Sequence, residues 1–460
     1  MLKLSPVFGA HMVLQANAPI RIFGQTDKNA VKVIFDGEEK NAVIKDGAFS
    51  ADFPARPSDC TPTTLTVSDG EDALTLSDIL IGEVWLIYGQ SNAELTFGDK
   101  PGYAEYYKEE LAAADARRPI RAFLQRRRDA AGKTECTSAP QTWRIADPAR
   151  HWEALGAGSD FSDCSMLGYF FASALCRGLD ERTPVGFVTC ASGGSKISEL
   201  MPRALCDDLG LKSFYKEDMP LASVYNALLH PFLALGFAGM VFYQGESNIR
   251  DFLQYPQWQN ALVKELRKEV GRDFPFLFVQ ISSHGLWEYE RDFRYAQWDA
   301  FLQSQNCYMI PAHDVGFVEG EPDRPHPCRK APLGKRLAAT ALYYVYGKTA
   351  FADKRCPTVG QVTYAQDYVD IRFGGVGGGL AFDHEDADLG FEVRSGWCWK
   401  APDNVELISP DTLRLVAPHP TAVRNLYKTF LAPDFPHLRA ENGIPVPAFC
   451  SYAGREIEMK

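Results

Sequence analysis

The stretch "ILIGEVWLIYGQSNAE", residues 79–94, decides the fold. Its first ten residues are rich in β-branched and aromatic side chains, a composition typical of a buried strand. The strand pattern ends at Gly89, and the small polar residues Gln90, Ser91 and Asn92 follow. A polar turn after a buried strand is an ordinary loop in most proteins, but open α/β sheets also place their functional residues there.

Further buried strands alternate with helical patterns after residue 79. Four more apolar strand candidates lie at 184–190, 239–243, 274–282 and 307–314. Amphipathic stretches such as "MLGYFFASALCRGL" and "LGKRLAATALYYVYG" lie between or after them. Continuous hydrophobic strands that alternate with helices indicate a parallel sheet with helices on both faces. The sequence therefore predicts an α/β fold for this part of the chain.

The segments on either side of this α/β region have a different pattern. Residues 1–78 consist of short alternating runs that Gly, Asp and Asn interrupt about every ten residues, as in a β-sandwich. Runs typical of strands, such as "YVDIRFGG" and "TLRLVAP", return after residue 351. We therefore predict three domains: an N-terminal β-sandwich at 1–78, an α/β domain at 79–350 and a C-terminal β-rich domain at 351–460.

The composition excludes several classes of protein. Hydrophobic residues make up 46% of the 460 residues and charged residues 23%, which excludes a disordered chain. The formal net charge of −11 disfavours a nucleic-acid partner, because phosphate binding depends on Lys and Arg. No apolar run reaches the roughly 18 residues of a transmembrane helix. We therefore expect neither a nucleic acid nor a membrane as a partner.

The cysteines bear on the cellular compartment. The chain has 11 of them, an odd number spread from Cys60 to Cys450, and no C-x-x-C pair occurs. This pattern fits thiols in a reducing compartment better than a disulfide framework. The N-terminus also lacks the long apolar run of a signal peptide. We expect a cytoplasmic protein, with a secreted or periplasmic one as the alternative if a leader was removed. No His/Cys cluster has metal-ligand spacing, and we expect no cofactor.

Four polar clusters come directly after predicted strands. They are Gly89–Asn92, "ASGGSKISEL" around Gly193, Gln244–Asn248 and "DRPHP" at 323–327. Because the carboxyl ends of parallel strands face one crevice, parallel strands would bring these clusters together. The group would then contain a serine, a histidine with an acid three residues before it, and an asparagine amide.

These groups are the ones that acyl transfer needs. Ser91 would become a nucleophile when a base accepts its proton, and His326 is the candidate base. Asp323 would orient the histidine and stabilise the imidazolium. The backbone N–H groups of Ser91 and Gly193, with the side chain of Asn248, would bind the oxyanion. Each motif alone is weakly specific, and Ser91 is not part of the G-x-S-x-G elbow of α/β-hydrolases.

The combined motifs resemble the SGNH-hydrolase superfamily, and within it the carbohydrate esterases of the sialate O-acetylesterase type. The chain reads "GEVWLIYGQSNA", "FYQGESNI" and "DRPHPCRKAPLGKRLA" where these esterases have patterns like GxVWLxxGQSNM, WYQGESNA and IHPxxKxxxGxRLA. The resemblance implies an SGNH (flavodoxin-like) parallel-sheet three-layer core. It also implies Ser91 as the nucleophile, His326 as the base, and Ser91, Gly193 and Asn248 as oxyanion donors.

The acid of the site stays open between two residues. Asp323 lies at the superfamily's position, three residues before His326. Some related acetyl xylan esterases use the Glu of the QGE motif instead, which is Glu246 here. Gln90 and Gln244, beside the two motifs, are further candidates for the pocket.

The resemblance implies a serine esterase that removes O-acetyl groups from a carbohydrate through an acyl-enzyme. The expected partner is an acetylated carbohydrate substrate, either sialic acid or an acetylated oligosaccharide. Ala93, Leu200 and Ile249 differ from the residues usual in the family, which bears on the substrate more than on the reaction. The alternative is a non-catalytic carbohydrate-binding protein with a decayed hydrolase core, and the intact serine, histidine and asparagine argue against it.

Several other residues near strand ends have simpler interpretations. Asp314 is either a site residue or a turn-capping carboxylate. Arg294 and Gln297 lie one turn apart on a predicted helix, and we expect them to make structural hydrogen bonds. His284 follows a predicted strand and could contact substrate, although loop histidines are usually only solvated, which is what we expect here. Trp287 could stack on a sugar ring, although most such aromatic residues serve packing.

Overall fold

The chain folds as two compact units. The computed structural model describes residues 1–99, 102–112, 119–124, 151–155, 162–180, 182–212, 220–316, 324–383, 390–431, 435, 437–455 and 457. The first unit comprises Met1–Val241 and Leu266–Phe274, and the second comprises Phe242–Glu265 and Pro275–Lys460.

The first unit is built from many short strands, one long strand and short helices. Its strands are β1 (Leu2–Leu4), β2 (Val13–Gln15), β3 (Ile20–Thr26), β4 (Lys32–Phe35), β5 (Glu38–Asn41), β6 (Val43–Lys45), β7 (Ala48–Phe53), β8 (Asp59–Ser68), β9 (Ala73–Gly89), β10 (Ile120–Leu124), β11 (His151–Leu155) and β12 (Val185–Ala191). Its helices are α1 (Ser91–Glu94), α2 (Tyr103–Tyr106), α3 (Lys108–Ala112), α4 (Met166–Leu179), α5 (Arg203–Asp208) and α6 (His230–Leu233), with a 3-10 turn at Ile197–Glu199 and a π-helix at Tyr225–Leu229.

The long strand β9 joins two kinds of pairing. Its first part pairs antiparallel with β8 and parallel with β2. Its second part lies parallel to β12, which is in turn parallel to β10, and β11 is antiparallel to β10 at the edge. The strand order is therefore β11-β10-β12-β9, and β1, β3, β7 and β6 form a separate antiparallel sheet. Strand β9 is longer than the sequence pattern predicts, since it begins before the predicted domain boundary at residue 78.

Helix α4 packs closely on this sheet. Its N-cap is Ser165, whose hydroxyl accepts the N–H of Gly168 at 3.1 Å. A Cβ at Gly168 would lie 2.6 Å from the ring of Phe187 in β12, so only glycine allows this approach. All seven residues of β12 are buried, as expected for a strand in the interior of a parallel sheet.

Two elements contain residues of both units, and the second unit holds the rest. The shared elements are β13 (Gly239–Tyr243) and α7 (Tyr255–Val270). The second unit's strands are β14 (Phe276–Gln280), β15 (Cys307–Pro311), β16 (Thr358–Tyr364), β17 (Tyr368–Gly374), β18 (Leu380–Phe382), β19 (Phe391–Ser395), β20 (Cys398–Lys400), β21 (Asn404–Ser409), β22 (Thr412–Val416), β23 (Pro420–Asn425), β24 (Leu438–Ala440) and β25 (Cys450–Tyr452). Its helices are α8 (Glu290–Leu302) and α9 (Ala331–Tyr344), with 3-10 turns at Glu246–Asp251, His313–Val315 and Thr349–Lys354.

The second unit also combines parallel and antiparallel strands. Strand β14 lies parallel to β15. The strands after residue 357 form antiparallel sheets in the orders β16-β17-β22-β21, β18-β24 and β20-β19-β23-β25. The architecture is thus mixed α/β, with a largely parallel sheet and additional β-rich regions, as the sequence predicts. Over the ranges that the structure describes, no helix is long and apolar enough to cross a membrane.

Candidate active site

Ser91 is the first residue of α1 and comes two residues after the end of β9. The chain turns at Gly89, whose φ of +143° lies in the region that favours glycine. The carbonyl of Gln90 then accepts the N–H groups of Ala93 and Glu94 at 2.9 and 3.0 Å, which closes the first helical turn. The strand therefore ends where the sequence predicts, and a buried serine stands at the start of a helical turn.

The loop that carries Gly193 lies next to this turn. Strands β9 and β12 are parallel and in register, so that Gly89 pairs with Ala191. The N–H of Gly193 donates to the Oε2 atom of Glu94 at 2.6 Å. The structure thus brings the Ser91 turn and the Gly193 loop together, as expected for parallel strand ends. Glu94 was not among the predicted site residues, although a carboxylate in the first turn after the serine was a visible signal.

In the second unit, a chain of hydrogen bonds follows β13. The Tyr255 hydroxyl donates to Oε1 of Gln244 at 2.6 Å, and Nε2 of Gln244 donates to Oδ1 of Asn248 at 2.7 Å. Nδ2 of Asn248 donates to Oδ2 of Asp251 at 2.8 Å. Burial raises the pKa of Tyr255 well above its usual value, and the nearby charge of Glu246 adds to this, so the hydroxyl keeps its proton.

This chain fixes the direction of the Asn248 amide, because both its oxygen and its nitrogen have assigned partners. The same hydrogen bonds show what Gln244 does in the structure: it orients the side chain of Asn248. Asp251 and Tyr255 are residues that the sequence analysis missed. Their positions just after the QGESN motif were the only signal: Asp251 lies in the same 3-10 turn as Asn248, and Tyr255, the first residue of α7, reaches Gln244.

Glu246 lies close to a histidine of the second unit. Its Oε1 atom is 3.9 Å from Nε2 of His284, which follows β14. The ring of His284 is completely buried. The hydroxyl of Ser282 is 3.4 Å from its Nε2 atom, and the ring of Trp287 contacts it edge-on, with 5.8 Å between the ring centroids. The expectation that His284 is a solvated loop residue is therefore wrong.

His326 lies in the connection between β15 and α9 and is partly buried. The predicted acid Asp323 lies outside the described residues. The described parts of the connection approach each other, since Nη2 of Arg329 donates to the carbonyl of Gly316 at 2.7 Å. This hydrogen bond holds the two sides of the His326 loop together.

Asp314, at the start of the same connection, is a buried ion-paired residue. Its two oxygens accept from Nη1 and Nη2 of Arg336 at 2.8 and 2.6 Å, and Oδ2 also accepts from Arg439 at 3.2 Å. Burial alone would raise the pKa of Asp314, but the charge and hydrogen bonds of Arg336 outweigh it and hold the pKa well below its usual range. Asp314 thus anchors helix α9 to the end of β15.

Arg294 and Gln297 make the structural hydrogen bonds that the sequence predicts. The guanidinium of Arg294 donates to the carbonyl of Lys428 at 2.5 Å. The amide of Gln297 accepts the N–H of Ile281 at 2.8 Å and donates to the carbonyl of Val279 at 3.0 Å, which fixes the end of β14. Among the described residues, no three His, Cys, Asp or Glu side chains are grouped so as to hold a metal ion.

Comparison with known proteins places these residues in a family. A family model described as a carbohydrate esterase, sialic acid-specific acetylesterase, matches residues 81–343, which is more than half of the chain. The matched range contains Ser91, Gly193, Asn248 and His326.

Individual relatives agree with the family match. Sialate O-acetylesterase of Mus musculus is 23% identical over 333 residues, covering 60% of this chain and 58% of the mouse protein. The Homo sapiens protein of the same name is 26% identical over 312 residues, covering 60% of this chain and 55% of the human protein. The chain thus spans a little over half the length of these relatives.

One solved structure resembles nearly the whole chain. A carbohydrate acetylesterase from Xanthomonas citri has a TM-score of 0.82 and 24% identity, covering 98% of this chain and 100% of that one. The two chains therefore share a fold. Since the family model matches more than half of the chain, the chain belongs to the carbohydrate esterase family of sialic acid-specific acetylesterases.

Proposed function

We propose that this protein is a serine esterase that removes O-acetyl groups from a carbohydrate through an acyl-enzyme. The match of the family model to residues 81–343 carries the proposal. Support comes from the serine at the start of α1, directly after a buried parallel strand, where open α/β sheets place their chemistry. The proposed substrate is an acetylated carbohydrate, either sialic acid or an acetylated oligosaccharide.

In the proposed reaction, the Ser91 hydroxyl attacks the acetyl carbonyl while His326 accepts its proton. The tetrahedral intermediate collapses, the sugar oxygen leaves with the proton from His326, and the acetyl group stays on Ser91. Water, deprotonated by the same histidine, then releases acetate and restores the serine. Asp323 is proposed to orient His326 and to stabilise the imidazolium.

The proposed oxyanion donors are the N–H groups of Ser91 and Gly193 and the side chain of Asn248. The hydrogen bonds from Gln244 and to Asp251 support a role for Asn248, since they preorganise its amide. The Gly193 N–H donates to Glu94, so a substrate oxygen would have to replace a carboxylate oxygen at this donor.

We propose Asp323 over Glu246 as the orienting acid. The supporting observation is the 3.9 Å approach of Glu246 to His284, which gives this carboxylate a different histidine to face. In this proposal, Gln90 shapes the serine turn through its carbonyl, and Gln244 orients Asn248.

The proposal includes the finer features of the fold. We propose an SGNH (flavodoxin-like) three-layer core at 79–350, between a β-sandwich at 1–78 and a β-rich domain at 351–460. The antiparallel pairing of short strands between β3 and β8, and between β16 and β23, supports the proposal of β-rich regions on either side of the core. A cytoplasmic location stays a prediction from the cysteine pattern.

The test of the function is acetate release from a panel of O-acetylated sugars. Ser91→Ala should abolish this release and leave the circular dichroism spectrum unchanged, because only the nucleophilic oxygen is removed. Ser173→Ala, at a buried serine of α4, is the matched control and should keep its activity. Activity of Ser91→Ala within about tenfold of the native rate would rule out the assignment. Saturable sugar binding without acetate release would favour the carbohydrate-binding alternative.

A further inference from the structure

Arg294 of α8 has a completely buried guanidinium whose hydrogen-bonding capacity is only partly used. Its Nη2 atom donates to the carbonyls of Lys428 and Leu426 at 2.5 and 3.5 Å. Its Nε and Nη1 atoms are also buried, and neither has a hydrogen-bond partner among the described residues. A guanidinium carries N–H groups on each of its nitrogens and has no acceptor, so these two nitrogens offer only donors.

The positive charge of Arg294 also lacks a contacting carboxylate in the described parts of the chain. Glu290 lies one helical turn before it, but both carboxylate oxygens accept N–H groups of residues 284–287, at 2.9 to 3.1 Å. Burial lowers the pKa of Arg294, and the charge of Glu290 only partly offsets this effect. The buried guanidinium of Arg336, by contrast, is paired with Asp314. Because a buried charge is costly unless it is paired, the surroundings of Arg294 favour an additional negative charge.

Trp298 supplies another unpartnered donor, one turn further along α8. Its side chain is completely buried, and its Nε1 atom has no partner within the part of the chain that the structure describes. Residues four positions apart on a helix share a face, and each side chain covers the turn before its own Cα, which here is the turn of Arg294. The indole N–H can donate but cannot accept.

The two side chains contact the same part of the C-terminal region. The ring centroid of Trp298 is 5.9 Å from that of Phe449. The N–H of Phe449 donates to the amide oxygen of Asn425 at 2.7 Å, and the next residue, Leu426, accepts from Arg294. Helix α8 and this segment therefore enclose the guanidinium and the indole together.

The segment that accepts from Arg294 is fixed by further hydrogen bonds. The hydroxyl of Ser283 accepts the N–H of Leu431 at 2.7 Å and donates to the carbonyl of Thr429 at 3.0 Å. The N–H of Lys428 donates to the carbonyl of Leu426 at 2.8 Å. A ligand at the unused donors would therefore meet a rigid site.

We infer that Arg294 and Trp298 form a buried binding site for a small monovalent anion of the size of chloride, held by the unused guanidinium N–H groups and the indole N–H. This inference is independent of the proposed esterase function. A set of donors without acceptors fits a ligand that only accepts hydrogen bonds, whereas a water molecule must also place its own hydrogens. One negative charge matches the one unpaired guanidinium, and a close-packed interior favours a small ion.

The test follows the indole N–H signal of Trp298 by NMR in the full chain, labelled with ¹⁵N at its tryptophans. Trp298→Phe identifies the signal, because that variant lacks it. Protein dialysed into potassium methanesulfonate is titrated with potassium chloride and, separately, with potassium bromide at constant ionic strength. We expect a saturable change in the Trp298 signal with either halide, since the N–H gains a charged acceptor.

Arg294→Lys should lower the halide affinity by about tenfold or more, because it keeps the charge and loses the planar fork of donors. Trp298→Phe, which keeps an aromatic ring and removes the N–H, should also lower the affinity, measured by calorimetric titration with bromide. The matched controls are Arg372→Lys, at a guanidinium that is 55% exposed, and Trp397→Phe, at an indole that is 92% exposed. Both controls should bind halide as the native protein does.

Crystals soaked in bromide give an independent readout, because the anomalous signal locates the ion even if chloride binds too tightly to be dialysed away. We expect a bromide peak within hydrogen-bond distance of Arg294 and Trp298. The absence of that peak, with an unchanged Trp298 signal throughout the titration, would show that water satisfies these donors and would overturn the inference. Equal halide affinities in the native protein, Arg294→Lys and Trp298→Phe would overturn it as well.

Discussion

At the scale of single residues, the proposed site has two candidates for the acid that orients the histidine base, Asp323 and Glu246. Asp323 precedes His326 by three residues, so their side chains can meet within one loop. Glu246 belongs to the loop after β13 and lies 3.9 Å from His284. In the proposal, Asp323 therefore acts on the base His326, whereas Glu246 faces His284.

A pair of amide variants separates them, because each keeps the size of the side chain and removes its charge. Asp323→Asn should lower kcat for acetate release by about 10⁴-fold, as loss of the orienting acid favours the wrong imidazole tautomer. Glu246→Gln should have a much smaller effect, since its role would be to hold the loop against His284. The opposite order of effects would assign the acid to Glu246. Losses of only a few-fold in both variants would indicate a dyad whose histidine is held by backbone carbonyls.

The sequence predicted the position of Ser91 because a strand end followed by a helix start is a local pattern. It did not predict the hydrogen bonds that orient Asn248. Tyr255 and Asp251 act on it through the fold of α7 and the preceding turn, and neither residue type is distinctive there. Glu94 was visible as a carboxylate in the first turn of α1, but its contact with Gly193, 99 residues later in the chain, leaves no local pattern.

At the scale of elements, the buried pair of Asp314 and Arg336 joins the end of β15 to α9. Both side chains are almost fully buried. Arg439, from β24, adds a second guanidinium to the same carboxylate. Helix α9 follows the loop that carries His326, so this ion pair sets where that loop ends.

Arg336→Met should destabilise the protein by about 3–5 kcal/mol, because it leaves a buried carboxylate without its main partner. Urea denaturation of the native protein and the variant measures this difference. The double variant Asp314→Asn with Arg336→Met should recover part of the loss, since the buried charge is then gone. A loss below about 1 kcal/mol in the single variant would mean that Arg439 alone compensates the carboxylate.

Apolar strands that alternate with amphipathic helices predicted the α/β class, because the burial of a strand or of one helix face requires hydrophobic residues at regular spacing. The same hydrophobic periodicity does not show which strands pair with one another. Strand β9 therefore read as one buried strand from residue 79, whereas it begins at Ala73 and changes partner along its length, from β8 and β2 to β12.

At the scale of the whole molecule, we expect a buried histidine pair to make the stability depend on pH. The ring centroids of His313 and His437 are 4.7 Å apart, and both side chains are buried. None of their four ring nitrogens has a hydrogen-bond partner among the described residues. Burial lowers the pKa of His437 to about 4, and the charge of Arg439 adds to this. Burial, and then the charge of His437, also lower the pKa of His313.

The unfolded chain therefore takes up these protons first, from about pH 6.5 downward, and the folded protein takes them up later. The stabilisation is fully present above that pH and is lost as the pH falls toward 4. For His437 the loss amounts to about 3 kcal/mol between pH 7 and 4. The unfolding free energy, measured against pH, should fall less steeply in His437→Phe than in the native protein. Identical slopes would show that the histidine pair does not govern acid sensitivity.

Long-range contacts also join parts of the second unit that lie far apart in the sequence. Gln280, at the end of β14, exchanges two hydrogen bonds with the backbone of Ala448, at 2.8 and 3.0 Å. No local sequence pattern indicates a contact between two residues that are 168 positions apart in the chain. The C-terminal strands therefore belong to the same unit as the strand-end loops that carry Glu246 and His326.

The hydroxyl of Ser283, with one neighbour accepting its proton and another donating to its oxygen, has a consequence during synthesis. Its partners lie about 150 residues later, and the buried guanidinium of Arg294 also waits for the carbonyl of Lys428. A ribosome-bound chain that has made every proposed catalytic residue still lacks the partners of these buried groups. The order of translation thus places the partners of these two buried side chains after all the residues of the proposed site, so the loop after β14 is completed only when residues 428–431 have been made.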